Sequence, residues 1–198
     1  MQKLVQGNQA FRRDVFRTNA ALFERLARGQ KPETLFITCA DSRVDPNLIT
    51  QSRPGDLFTL RNAGNIVPPH GPPSSEAATV EFAVLGLGVR DVIVCGHSDC
   101  GAMRALLDPR AAADVPALRA WLAHARPAID APDVEAAARA NVVAQLANLR
   151  AHPSVAAAEA RGELRLHGWF YRIGTGEVLA YDARRRSFEP LPELHEAA

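Results

Sequence analysis

Cysteine, tyrosine and tryptophan are scarce in this chain of 198 residues, with three Cys, two Tyr and two Trp. Three cysteines are too few, and odd in number, for a disulfide framework, so a packed core must carry the fold. A reducing, cytoplasmic setting is expected. Neither sign of charge is in excess: 23 Lys and Arg oppose 22 Asp and Glu, a formal net charge of +1. The arginines are scattered rather than gathered into a stripe, so nucleic acid is not an expected partner. No apolar run is long enough to span a bilayer, and Met1-Gln2-Lys3-Leu4-Val5-Gln6-Gly7-Asn8 lacks the apolar segment of a signal peptide. No membrane partner is expected either, and no internal repeat is found.

Hydrophobic residues make up 47% of the chain and charged residues 23%, ordinary values for a globular protein. The length suits a single domain over residues 1–198. Phe11, Val15, Phe16, Leu22, Phe23 and Leu26 recur at helical spacing ahead of Gly29, which predicts a helical arm over roughly 1–30. Short β-branched runs at 34–38, 57–60 and 91–95 predict strands. A short helix at 45–51 opens on Asp45-Pro46, and Ser74 or Ser75 caps another that Gly86 and Gly88 end. The segment 62–73, rich in Gly, Pro and Asn, is a loop between them. Helices follow at 102–107, 115–125 and 133–152, with a further short one reaching Gly162. Residues 164–171 and 178–181 form a terminal hairpin about Gly174-Thr175-Gly176. Strands alternating with helices predict an α/β fold: a mostly parallel central sheet flanked by helices, with an antiparallel edge hairpin at the C-terminus.

Three side chains stand out against this frame. Cys39 closes the run Ile37-Thr38-Cys39-Ala40-Asp41-Ser42-Arg43, and His97 and Cys100 lie in Val94-Cys95-Gly96-His97-Ser98-Asp99-Cys100-Gly101. Taken alone, a Cys ending an apolar run is usually a small buried hydrophobe, His-x-x-Cys arises by chance, and Asp-x-Arg is usually a surface ion pair. Position changes the balance. Cys39 and His97 each follow a predicted buried strand, and ligands of open α/β sheets bind at the carboxyl ends of strands. Two thiolates and one imidazole suit Zn²⁺, and three protein ligands leave its fourth tetrahedral position open. Cys95 sits inside an apolar run and is a poor fourth ligand. An open zinc site turns water into a nucleophile, which predicts hydration or hydrolysis chemistry.

In order and spacing, Cys39-x-Asp41-Ser42-Arg43, Arg61-Asn62-Ala63-Gly64-Asn65 and Gly96-His97-Ser98-x-Cys100-Gly101-Ala102 resemble the β-class carbonic anhydrases. The resemblance covers roughly residues 30–182. Ala140-Asn141-Val142-Val143-Ala144-Gln145-Leu146 and Leu166-His167-Gly168-Trp169 make it most similar to the plant enzymes and the bacterial enzymes of cyanate metabolism. It implies a zinc lyase that hydrates CO₂ reversibly to bicarbonate and a proton, built as a homodimer or higher homo-oligomer, with the arm packed on a partner subunit. By resemblance, Cys39, His97 and Cys100 hold the zinc. Arg43 keeps Asp41 ionised, and Asp41 orients zinc hydroxide toward CO₂. Gln30 matches a residue donating to substrate across the dimer interface, Phe58 and Ala63 match the lining of a small apolar pocket, and Gly101 matches a position of close backbone approach. Phe82 joins that substrate-pocket set where plant enzymes carry a Tyr, so no hydroxyl role is carried over. Phe36 stands where some bacterial members use a Trp to bind a regulatory bicarbonate, and without an indole N–H it is expected to pack in the core.

Two other functions are compatible with the residues. The same chemistry could serve CS₂ or COS, and the scaffold could be a zinc-stabilised regulatory module, although the complete set of Asp41, Arg43 and three ligands argues against the latter. His70 lies in the 62–73 loop, where it could relay protons but where an exposed His usually has no role. His167 is expected to be packed or hydrogen-bonded, and His124, His152 and His195 have no constellation about them. Cys95 is expected to be inert, and Trp121 and Trp169 to be core or interface.

Overall fold

The computed structural model describes residues 1–128 and 130–192; His195 lies outside them. The chain divides into two compact units at Lys31/Pro32, one residue past the expected arm boundary.

In the N-terminal unit, helix α1 (Gln2–Ala10) continues through a wider π-helical stretch, Phe11–Phe16, and helix α2 covers Ala20–Leu26. The apolar spacing alone predicts one helix over much of this arm, but the backbone breaks at Asn19. Thr18 Oγ1 donates to the carbonyls of Asp14 and Val15, and Asn19 Nδ2 donates to that of Val15. Such side chains compete with the helical ladder and end it. The rings of Phe16 and Phe23 stack at 4.9 Å, with Phe11 edge-on to Phe23 at 5.6 Å.

The second unit is built on a six-stranded sheet: β1 (Thr34–Cys39), β2 (Leu57–Asn62), β3 (Asp91–His97), β4 (Arg165–Tyr171), β5 (Val178–Asp182) and β6 (Ser187–Pro190). Its order is β2-β1-β3-β4-β5-β6. The first four strands pair in parallel and the last two antiparallel, so the hairpin expected at the C-terminus gains a third strand. At four residues, Ser187–Pro190 carries no period long enough to read. Strands β1, β2 and β3 run one to two residues past their apolar runs, because backbone pairing does not stop where hydrophobicity does.

Helices α3 (Pro46–Thr50), α4 (Ser75–Glu81), α5 (Gly101–Leu107), α6 (Pro116–Trp121), α7 (Val134–Arg150) and α8 (Pro153–Ala160) connect the strands. Asp45 caps α3, Ser74 caps α4 and Asp133 caps α7, each by accepting backbone N–H groups. Past Glu81, helix α4 widens into a π-helical stretch that Gly88 ends in the left-handed conformation. The helix expected over 115–125 is shorter: past Trp121 it tightens into 3₁₀ turns.

Helix α7 lies directly on β3 and β4, and two strand glycines make room for it. A Cβ on Gly96 would come within 2.8 Å of Val142 Cγ2, and one on Gly168 within 2.9 Å of Val142 Cγ1. Val142, Leu146 and Leu149 there join Leu35, Ile37, Val92 and Val94 in the larger core cluster. Phe36, Ile93 and Cys95 fill the other face of the sheet, with Phe36 edge-on to Trp169 at 5.9 Å.

Candidate metal centre

Strands β1 and β3 are neighbours, and the sheet runs from β1 to β2 on one side and from β1 to β3 on the other. Their carboxyl ends therefore meet at the topological switch point, where open α/β sheets bind ligands. Cys39 is the last residue of β1, His97 the last of β3, and Cys100 precedes α5. Their thiol and imidazole ligand atoms lie within 4.8 Å of one another, and all three residues are buried. No other cluster of three such donors forms among the described residues.

The histidine is already prepared as a ligand. His97 Nδ1 is 2.9 Å from the Ser98 carbonyl, which can only accept, so Nδ1 carries the proton and Nε2 presents its lone pair. That Nε2 is buried and has no hydrogen-bond partner. Leaving such an atom unsatisfied costs about 1–3 kcal/mol, and a cation between it and the two thiols removes the cost. The thiols respond to one another: the hydrogen bond from Cys100 lowers the Cys39 pKa against the opposing effect of burial, and Cys39 in turn pushes Cys100 up. Burial opposes protonation of His97, but the neighbouring Cys39 sulfur outweighs it and raises its pKa. A thiol inclined to ionise, a second thiol and a buried imidazole lone pair together suit a cation, and two sulfurs with one nitrogen fit Zn²⁺.

Asp41 lies beside this cluster, Oδ2 being 3.9 Å from His97 Nε2. Arg43 donates through Nε to Oδ1 at 2.9 Å and through Nη2 to Oδ2 at 2.8 Å, and its backbone N–H donates to Oδ1 at 3.0 Å. These bonds from Arg43 hold the Asp41 carboxyl far below the usual carboxylate range, with partial burial opposing them. Asp41 is thus an acceptor with no proton of its own. Arg61 fixes the backbone beneath it, donating to the carbonyls of Cys39 at 3.2 Å and Asp41 at 2.9 Å.

The 62–67 loop supplies the next layer. The Gly64 N–H donates to Cys39 Sγ at 3.3 Å. Gly64 has φ +84, and a Cβ there would come within 3.1 Å of Ala102 Cβ, so glycine is required on both counts. Helix α7 holds this loop through amides on its inner face. Asn141 Nδ2 donates to the Gly64 carbonyl at 2.8 Å, Gln145 Oε1 accepts from the Val67 N–H at 2.9 Å, and Asn148 Nδ2 donates to the Val67 carbonyl at 2.9 Å. From the sequence, Asn141 and Gln145 stood only in the stretch that carries the subgroup resemblance, with no contact assigned, and Asn148 did not stand out. Their signal was available, since amides at i, i+4 and i+7 sit among Val142, Leu146 and Leu149.

Not every residue expected in a substrate pocket is gathered here. Ala63 adjoins Gly64, and its carbonyl accepts from Trp121 Nε1 at 2.8 Å. Gly101 opens α5 beside Cys100, with open space where a Cβ would stand. Phe58 and Phe82 pack together, edge to face at 5.9 Å. Phe58 pairs in register with Leu35, four residues before Cys39, which puts it about 13 Å down the strand from the cluster. Gln30 belongs to the N-terminal unit. Outside the cluster, His167 bonds Asp91 at 2.7 Å, Cys95 is fully buried with its thiol pushed up to about 12 by burial, and His152 packs at 5.7 Å against His70. The last pair is a constellation that sequence spacing did not reveal.

A family model described as carbonic anhydrase matches residues 34–178. The carbonic anhydrase of Pseudomonas aeruginosa is 48% identical over 204 residues, covering 98% of this chain and 93% of that protein. Among solved structures, the β-carbonic anhydrase CcaA is 46% identical with a TM-score of 0.92, covering 96% of this chain and 99% of its own. Tetrameric β-carbonic anhydrases of Sordaria macrospora are 32% identical with a TM-score of 0.76, covering 90% and 95%. With two structural matches above 30% identity spanning nearly the whole chain, and a family model over most of the sheet, the chain belongs to the β-carbonic anhydrases.

Proposed function

We propose that the chain catalyses CO₂ + H₂O ⇌ HCO₃⁻ + H⁺ at a Zn²⁺ held by Cys39, His97 and Cys100. The observation that carries this reading is the buried, unpartnered His97 Nε2 facing two thiols, with an ionised Asp41 alongside. Bound there, Zn²⁺ would supply the Lewis acidity that makes water nucleophilic near neutral pH. The remaining work falls to side chains. Asp41, kept deprotonated by Arg43, accepts a hydrogen bond from the attacking oxygen and so directs its lone pair at the carbon of CO₂. As the new C–O bond forms, the proton of the water passes to solvent. Gly64 and Arg61 keep the Cys39 sulfur and the Asp41 backbone in place for this. Ala63 and Gly101 border the cluster and serve as the approach for an uncharged gas.

A homodimer or larger homo-oligomer forms part of this proposal. Leu4, Val5, Val15 and Phe16 are exposed on the N-terminal arm, an apolar surface suited to a partner subunit. A neighbouring copy is also the means by which Gln30, Phe58 and Phe82 would serve a substrate site. Three free cysteines suit the reducing cytoplasm. Among the described residues, no helix is long and apolar enough to cross a membrane. Stopped-flow CO₂ hydration by the purified protein, with and without a zinc chelator, tests the reading. Activity that the chelator abolishes and added zinc restores is expected; a zinc-loaded protein without activity overturns it.

A further inference from the structure

We propose that Asp99 is a positioning residue that clamps Arg43 from the side opposite Asp41 and so keeps the Asp41 carboxylate aimed at the metal cluster. The inference rests on the proposed role of Asp41 and Arg43. Arg43 has more donors than Asp41 uses. Nη1 donates to Asp99 Oδ2 at 3.1 Å, and Nη2 donates also to the Asp99 carbonyl at 3.1 Å. The guanidinium is thereby gripped along two edges. Without the Asp99 carboxylate, a side chain that is 44% exposed would keep only its bonds to Asp41 and to the Asp99 carbonyl, and a two-residue turn leaves it freer to swing together with Asp41.

Asp99 is suited to fix a direction because its own backbone is fixed. It lies in the two-residue bridge between His97 and Cys100. In that bridge the Ser98 N–H donates to the Tyr171 carbonyl at 2.9 Å, and Ser98 Oγ accepts from the Ile173 N–H at 3.0 Å. Any shift of the bridge moves the ligands and the clamp together. The charges alternate outward as Asp41, Arg43, Asp99 and Arg104, the last pairing with Asp99 from α5. Arg104 thus offsets the second carboxylate placed near Asp41.

Backbone conformation alone does not select a charged side chain here. Asp99 has φ +55, in the left-handed region that Gly, Asn and Asp all tolerate. It does not cap α5, whose N-cap is Cys100 with no side-chain bond. Among the described residues its carboxylate accepts only from Arg43 and Arg104. The carboxylate is accounted for by the arginines it binds.

The test uses the zinc-loaded protein and two variants. Asp99→Gly removes the carboxylate while relieving the backbone, and Asp99→Asn keeps an acceptor without the charge. Phenylglyoxal modification of Arg43 is followed by peptide mass spectrometry, with Arg61 as the internal reference, alongside zinc content and kcat/KM for CO₂. Arg43 should be modified about two- to fivefold faster in Asp99→Gly, the size of one exposed charge-assisted pair, with kcat/KM lowered about threefold. Zinc content and the Arg61 rate should match the parent, and Asp99→Asn should fall between. An Arg43 rate equal to the parent's overturns the clamp, as does a parallel rise at Arg43 and Arg61, which marks general loosening of the loop. A parent protein without hydration activity defeats the proposed reaction instead, and the modification ratio still reads the clamp.

Discussion

Arg43 meets Asp41 fork to fork, two parallel hydrogen bonds of 2.9 and 2.8 Å between side chains only two residues apart. Bidentate pairing fixes direction as well as charge, since both carboxylate oxygens are held in the guanidinium plane. Neither residue is needed to bind a cation held by Cys39, His97 and Cys100. Asp41→Asn and Arg43→Ala are therefore expected to retain zinc and to lose about a hundredfold or more of kcat/KM, the worth of a positioned acid–base group. Variants as active as the parent would remove the pair from the mechanism.

Cys39→Ser should lose the metal and unfold at lower temperature, because the free energy of closing a buried site on its metal is partly folding free energy. Elemental analysis and a thermal melt read both effects. Full zinc occupancy in this variant would show that Cys39 is not a ligand.

Gly168→Ala should lower stability by about 1–3 kcal/mol through overpacking, since the added methyl would press on Val142 at 2.9 Å and Leu146 at 3.0 Å. A denaturant midpoint unchanged from the parent's would mean that α7 can lift from the sheet at no cost.

Asp91 gives a pH dependence remote from the metal. Burial raises its pKa, but hydrogen bonds from Arg165 and His167 outweigh that and leave it lowered. A depressed carboxylate stabilises the fold above its unfolded pKa of about 3.9 and loses the contribution as pH falls through the folded value. Arg165→Ala should lower stability modestly at neutral pH, the arginine of the pair being solvent-exposed. The deficit should shrink as pH drops below 4. Urea midpoints at pH 7 and pH 3 decide this, and a deficit that grows on acidification contradicts it.

Phe36 is fully buried against Trp169 and offers no hydrogen-bond donor. No regulatory bicarbonate can be bound through this side chain, so inhibition by bicarbonate should follow a Hill coefficient near one. Steep cooperative inhibition would contradict the expectation.

Much of the architecture was legible because its signals are local. Apolar runs bounded by turn residues announce β1 and β3, and Asp45-Pro46, Ser74 and Asp133 mark helix starts by capping chemistry that needs only a few neighbours. The break at Asn19, the 3₁₀ turns after Trp121 and strand β6 were hidden. Each depends on hydrogen bonds that compete with, or outlast, the hydrophobic period.

By itself the sequence determined the donor types and the strand ends that carry them: two thiols, one imidazole, and an Asp two residues before an Arg. Those identities set the metal preference and the charge of the site. Tertiary structure alone decided which groups act together. Asp99 reaches Arg43 across 56 positions, and Asn141 reaches the Gly64 carbonyl across 77. It also decided that Phe58 packs on Phe82, down the strand from Cys39. Hydrogen bonds and ring contacts act over a few ångströms of space, and separation along the chain says nothing about that distance until the sheet has brought the strands into register.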